Sequence, residues 1–260
     1  VVFIISLLYI LNSPPLAGYC FGVLMSNGWE ESAQAWINSM GTSGDKGRQF
    51  VIDPALSKLI KGQDYKNALD VGCGEGRMCR FLSQNGIKPV GIDPTKSLIA
   101  RARELDSKNQ YIECFAEDLP FENNSFDMVL SCLSLIDIPD YQAAIKEMVR
   151  VLKPQGDLII VNLTPMNTSG AKHGWQKDIM GNKKFYGIDN YMVESENWEE
   201  WCGIKIKNYH RPLSSYMKCF LENGLSLKYF DEPLPIGASD EYTSHITRIP
   251  WFLIMKWQKL

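Results

Sequence analysis

A chain of 260 residues is long enough for one sizeable α/β domain with an elaboration. Acidic and basic residues nearly balance, for a formal net charge of -3, and the basic ones are scattered. That excludes a binding surface built on a Lys/Arg run, and nucleic acid is not an expected partner.

Val1 to Leu11 is almost wholly apolar, Pro14-Pro15 interrupts the run, and Leu16 to Met25 is apolar again. Neither stretch reaches the roughly 20 residues of a spanning helix, and no positive segment precedes them as in a signal peptide. The chain starts at Val, whereas Met25-Ser26-Asn27-Gly28-Trp29 has the look of a natural start. Residues 1–24 are therefore read as an upstream leader outside the mature fold. A targeting or membrane segment and a folded helix are the competing readings, and stable membrane insertion is not expected. Residues 25–260 are read as one domain. Its cysteines, Cys73, Cys79, Cys114, Cys132, Cys202 and Cys219, contain no C-x-x-C, and with Cys20 they total seven. Reduced thiols in the cytoplasm, or in another reducing compartment, are the simplest reading. His173, His210 and His245 lie far apart and suggest no metal site.

Apolar residues at Trp29, Ala33, Trp36, Ile37 and Met40 recur at helical spacing. A loop, Gly41 to Asp45, follows, and Asp53-Pro54 starts a second helix through Leu59. Ala68-Leu69 then leads into Asp70-Val71-Gly72-Cys73-Gly74-Glu75-Gly76, and Arg77 to Gln84 reads as a helix. Strand, glycine turn and helix make a nucleotide-binding arrangement, because glycine lets backbone approach a ligand where a Cβ would collide. The spacing is not that of a dinucleotide fingerprint, which needs glycine where Arg77 stands, and the Gly-Lys-Ser/Thr of a P-loop is absent. Pro89 to Asp93 reads as a second buried strand ending in an acid placed to accept from ribose hydroxyls. Tyr111 to Phe115 is a third strand, running into the turn Ala116-Glu117-Asp118-Leu119-Pro120-Phe121, and Ser125 to Ser131 a fourth. A helix ends in Glu147 to Gly156, and Asp157 to Leu163 forms a fifth strand. Asp127, at the start of its strand, reads as structural.

These blocks resemble motif I and the downstream motifs of the class I S-adenosylmethionine (SAM) dependent methyltransferases, in the methyltransferase type 11 group that includes ubiquinone- and menaquinone-biosynthesis-type enzymes. The resemblance covers about residues 28 to 165. It implies a Rossmann-like, seven-stranded α/β sheet with helices on both faces, SAM as cofactor, and a transferase that methylates an O, N or C atom of a small-molecule acceptor. It implies a cofactor set of Asp70, Gly72, Cys73 and Gly74 in the glycine turn and Asp93 and Pro94 after the second strand. Ala116, Glu117 and Asp118 fall at the adenine edge, and Cys132 and Leu133 under the cofactor. Arg48 is implied to lie over the methionine end and pair with its carboxylate. Exposed helix residue is the alternative for Arg48, a turn cap for Asp70, a helix N-cap for Asp93, and core packing for Cys132 and Leu133. The chain departs from relatives at Phe115, where many carry Asp, and at Gln155, where Gly is usual.

Residues 165–211 lose the strand–helix rhythm and are rich in Gly, Asn, Lys and aromatics. So long a stretch between sheet elements is read as a lid and acceptor-binding insertion after the fifth strand. His210-Arg211-Pro212 leads into a helix to Asn223, Leu225 to Phe230 is a sixth strand, and Ile249 to Trp257 fits a seventh, antiparallel strand. In relatives a similar His-Arg-Pro segment faces the substrate opening, so His210 is a candidate general base, with a loop-fixing histidine as its alternative. Tyr191 and Glu194 are further lid candidates. A SAM-binding partner subunit without catalysis and a protein acceptor are the alternative functions. The Asn/Asp-Pro-Pro-aromatic run of nucleic-acid amino-methylating enzymes is replaced here by Ser131-Cys132-Leu133-Ser134.

Overall fold

The computed structural model describes residues 27–170 and 174–260. The expectations for the leader, and for a start at Met25, lie outside the described residues. Helix α1 (Trp29–Met40) matches the helical spacing of its apolar residues, and one turn of π-helix, Arg48–Ile52, runs into α2 (Asp53–Ile60). Then strands and helices alternate: β1 (Asn67–Val71), α3 (Arg77–Gln84), β2 (Lys88–Asp93), α4 (Lys96–Leu105), β3 (Gln110–Glu113), β4 (Phe126–Cys132), α5 (Tyr141–Val151) and β5 (Leu152–Leu163). A short helix α6 (Pro165–Ser169) opens the lid. The lid continues as two antiparallel pairs, β6 (Gly174–Lys177) with β7 (Lys183–Gly187), and β8 (Ser195–Trp201) with β9 (Ile204–His210). Helix α7 (Leu213–Glu222), β10 (Leu225–Asp231), α8 (Asp240–Ile246) and β11 (Phe252–Lys259) complete the chain.

Seven strands form one sheet in the order β10-β11-β5-β4-β1-β2-β3. β1 to β5 pair in parallel, and β11 lies antiparallel between β5 and β10. β1, β4 and β5 are nearly continuous apolar runs because helices cover both faces. On one face Ile145, Met148 and Phe220 of α5 and α7 pack over Val129, Leu158 and Trp257. On the other, Leu56, Met78 and Leu82 of α2 and α3 cover Ala68, Leu130 and Ile159. The strand order reverses between β1 and β4. In an open parallel sheet the crevice at that switch point, beyond the carboxyl ends of the strands, is where ligands bind.

The third strand ends at Glu113 rather than Phe115, the seventh runs Phe252–Lys259 rather than from Ile249 to Trp257, and the junction of α5 and β5 differs most from the sequence reading. The helix stops at Val151, and β5 begins at once with Leu152 opposite Phe126, rather than at Asp157. The register then shifts so that Met128 faces Asp157, and Gln155 takes a φ of 62° inside the irregularity, the backbone conformation glycine would supply. Asp127 has the structural role expected of it. Its Oδ2 accepts from the backbone N–H of Lys66 and Asn67, at 2.9 and 2.8 Å, and Oδ1 pairs with Lys153 Nζ at 2.6 Å.

The lid docks on the N-terminal helix. Ser32 Oγ donates to the Lys205 carbonyl and accepts from its N–H, and Lys207 N–H donates to the Asn27 carbonyl. Helix α1 and strand β9 thereby close over the carboxyl end of the sheet. Among the described residues no helix is long and apolar enough to cross a membrane, and no group of His, Cys, Asp or Glu is placed to hold a metal ion.

Candidate active site

The glycine turn leaves β1 at the switch point. Gly72 and Cys73 both donate to the Ile92 carbonyl, at 2.8 and 2.9 Å, which ties the turn to β2. Gly72 has φ +75°, and a Cβ there would sit 2.2 Å from Ser134 Cβ. Ser134 in turn donates to the Val71 carbonyl at 2.6 Å and accepts from Ser131. Gly74, at φ +53°, is the opposite case. An added Cβ would meet only Leu98 Cδ1, at 4.0 Å, so its backbone lies open to the crevice.

Asp93 ends β2 beside that open backbone. Its Oδ2 accepts from Gly74 N–H at 2.9 Å and its Oδ1 from Thr95 N–H at 2.8 Å. Each oxygen keeps a further lone pair for a ligand donor. Burial pushes the carboxyl upward, and hydrogen bonds from the Thr95 backbone and side chain and from Gly74 N–H oppose that shift. Directly after β4 comes Leu133, a leucine held at φ 56° with its N–H on the Val161 carbonyl. Such backbone is sterically costly for a leucine.

A cavity of about 750 Å³ fills this crevice. Of the residues expected at the cofactor, Arg48, Gly72, Cys73, Gly74, Asp93, Pro94, Ala116, Glu117, Cys132 and Leu133 line it, together with Leu98 and Phe115. Two expectations are corrected. Asp70 is not on the wall. It is buried behind the turn, where its Oδ2 accepts from Cys79 Sγ, its Oδ1 has no partner, and burial pushes its carboxyl up to about 7. Asp118 faces solvent, because the turn after β3 directs Ala116 and Glu117 inward instead. Arg48 lines the cavity, but its guanidinium is held 2.6 Å from Asp45 Oδ2 and over the Trp36 ring.

A second cavity, of about 450 Å³, adjoins the first and shares Trp29, Trp36, Arg48, Leu133 and Asp137 with it. Lid residues make much of its wall: Asn167, Thr168, Tyr186, then Asn197, Glu199 and Trp201 from β8, and Ile206, Asn208 and His210 from β9. The alternation along β8 and β9 is that of strands with one face on the cavity.

The catalytic expectations for His210 and Tyr191 do not survive the geometry. His210 is 3% exposed, and its Nε2 lies 2.9 Å from the Tyr191 carbonyl. A carbonyl only accepts, so Nε2 carries the proton. Nδ1 lies 2.7 Å from Thr168 Oγ1 and accepts from that hydroxyl. Both ring nitrogens are thus engaged, and none is free for an acceptor. Tyr191 lines neither cavity: its ring packs edge-on to His210 and its hydroxyl accepts from Leu213 N–H. Both residues brace the lid.

The carboxylate that does stand at the junction is Asp137. It is 9% exposed, accepts from Trp29 Nε1 at 3.2 Å and from Asn208 Nδ2, and is pushed well above the usual carboxylate range by burial, against the pull of those two donors. Its signal in the sequence is a lone acid inside Leu135-Ile136-Asp137-Ile138-Pro139, just past a strand end. Arg211 fixes that loop. Buried among Tyr141, Tyr209 and Tyr216, it donates to the carbonyls of Leu135, Ile138 and Pro139. The His-Arg-Pro segment therefore works through both its His and its Arg as a strut.

Residues 69–160 match the family model of the methyltransferase domain. This segment belongs to that family. Among solved structures the chain is similar to one from Listeria monocytogenes assigned as an S-adenosylmethionine dependent methyltransferase, at 27% identity and a TM-score of 0.72, over 80% of this chain and 96% of that one. Among curated proteins it is 35% identical to the chloroplastic tocopherol O-methyltransferase of Arabidopsis thaliana, over 63% of this chain and 51% of the relative. It is 28% identical to the malonyl-[acyl-carrier protein] O-methyltransferase of Salmonella typhimurium, over 47% of this chain and 49% of the relative. The chain spans about half the length of these curated relatives. Residues 69–160 thus carry the Rossmann-like architecture of SAM-dependent methyltransferases. The family match ends at residue 160, before the lid begins.

Proposed function

We propose that the protein is a SAM-dependent methyltransferase acting on a small-molecule acceptor, and that residues 165–211 are its acceptor-binding insertion. The observation that carries this reading is the pair of adjoining cavities meeting at Leu133 and Asp137. One is built on the glycine turn and the other largely on the lid.

The residues fit the cofactor. Gly74 leaves a backbone cradle that a side chain would fill. Asp93 has one lone pair on each oxygen to accept from a ribose hydroxyl. Leu98, Phe115 and Ala116 offer an apolar slot for adenine. Arg48 retains donors for the methionine carboxylate beyond those turned to Asp45. When bound, SAM supplies a methyl group already activated by its sulfonium. What remains for the protein is to hold the acceptor in line, exclude water and receive a proton. Trp29 and Trp36 line both cavities, and Asp137 is the carboxylate at the junction. A second cavity of about 450 Å³ beside the first favours a small acceptor, and supports catalysis over a purely SAM-binding role. The relatives named above act on different acceptors by their names, and the family match stops short of the lid, so the acceptor atom does not transfer from them.

Asp93→Ala should lower SAM affinity at least about tenfold, since charge-assisted hydrogen bonds contribute about 1.5–3 kcal/mol each. Calorimetry with the purified chain measures this, and unchanged affinity would overturn the assignment. Incubation of the protein with methyl-labelled SAM and a metabolite extract should place label in the small-molecule fraction. Label confined to protein would replace the acceptor class.

A further inference from the structure

The wall of the second cavity has a sign. Six aromatic residues line it: Trp29, Trp36, Tyr186, Trp201, Trp251 and Phe252. Trp29 and Trp36 meet edge to face at 5.0 Å, and Tyr186 and Trp251 at 6.3 Å. Three carboxylates share the wall, Asp45, Asp137 and Glu199, against the single guanidinium of Arg48, which Asp45 already neutralises. Glu199 lies on the cavity face of β8, between Asn197 and Trp201, half-buried. Burial pushes its carboxyl upward, and among the described residues no cation lies within ion-pair distance of it. Two donors on the same wall also lack partners, Asn167 Nδ2 and Trp251 Nε1, but they are neutral and leave the sign unchanged.

Indole faces attract cations through the ring quadrupole, and the attraction strengthens when the site is desolvated. A half-buried carboxylate without a counter-ion favours the same occupant. A pocket meant only for a neutral ring has no need of Glu199 at that position, and one meant for an anion would oppose its unpaired carboxylate. We infer that this cavity binds a cationic amine, its ammonium seated among the indole rings between Glu199 and Asp137, next to the cofactor cavity. The inference rests on the methyltransferase reading of the site and narrows its acceptor to a molecule that carries an ammonium group.

Benzylammonium, benzyl alcohol and benzoate carry one ring with three different charges and serve as probes. Each is titrated into the full chain saturated with SAM and followed by tryptophan fluorescence and calorimetry. Benzylammonium should bind about tenfold or more tighter than benzyl alcohol, and benzoate weaker than both. Glu199→Gln is nearly isosteric. It should reduce the preference for benzylammonium over benzyl alcohol several-fold, leaving SAM affinity and the melting temperature unchanged. Trp201→Leu, at the cavity mouth, should weaken benzylammonium more than benzyl alcohol. Equal binding of the charged and neutral probes, a preference for benzoate, or an unaltered preference in Glu199→Gln would overturn the inference. Failure of the wild-type chain to bind SAM would instead overturn the methyltransferase reading, so the two failures are distinguishable.

Discussion

The two cavities meet at a shared wall but are built in different ways. The cofactor cavity is assembled from short contiguous segments at the carboxyl ends of neighbouring parallel strands, and backbone does much of the work: the open Gly74, the Asp93 bonds to Gly74 and Thr95, the strained Leu133. The second cavity, the proposed acceptor site, is assembled from side chains drawn from α1, the loop after β4, both hairpins between α6 and α7 and the start of β11. A backbone cradle depends on a few dihedrals and serves one ligand. A side-chain wall can change identity position by position without disturbing the sheet beneath it. The family match ends at residue 160, ahead of the hairpins that wall the second cavity.

The strongest way to test the comparison is to place side chains on the two cradle glycines. Gly72→Ala should cost about 4 kcal/mol, because a positive φ and a Cβ 2.2 Å from Ser134 add strain to overpacking. Gly74→Ala should cost only about 1 kcal/mol of stability and act instead on SAM affinity. Thermal denaturation beside calorimetry separates the two effects, and equal destabilisation would contradict the open face at Gly74.

Next in size is the strut on the acceptor side. Arg211→Met leaves the Leu135, Ile138 and Pro139 carbonyls without their donor and should cost about 3 kcal/mol in urea denaturation. A loss well below 1 kcal/mol would show that the loop bearing Asp137 is held by other means.

The cofactor side also carries a pH signature. Asp70 is raised to about 7 in the folded chain by burial, above its value in the unfolded one. Between those values the folded state holds the proton and the unfolded state does not, so stability falls as pH rises. The contribution is full below the unfolded pKa and is lost as pH passes through the folded one. Asp70→Asn should remove this slope, gaining about 2 kcal/mol relative to wild type between pH 5 and pH 7. Parallel stability–pH curves for the two proteins would refute it.

The smallest effect is expected at Thr168. Thr168→Val removes the hydroxyl that donates to His210 Nδ1 and should cost about 1 kcal/mol while SAM affinity stays the same. If His210→Asn also binds benzylammonium as wild type does, the bracing role of the histidine stands. A lower rate that recovers at high pH in His210→Asn would return it to catalysis.

The sequence by itself determined the sheet, the glycine turn and the acid at the end of β2. These follow from local pattern: apolar runs between helical segments, glycine where backbone must turn or approach, and a carboxylate at a strand end. Even there, side-chain direction was not legible. Asp70, near the end of β1, and Asp118, in the turn after β3, sit in the expected segments but point away from the crevice, and β5 starts earlier because Gln155 adopts the glycine-like conformation that absorbs a register shift. On the acceptor side the tertiary structure decided nearly everything. The proton position on His210 is set by Thr168, 42 residues away, and by the Tyr191 carbonyl. Asp137 gains its place from Trp29 and Asn208, 108 and 71 residues distant. No local periodicity records such pairings, because they form only when α1, the loop after β4 and β9 are packed together.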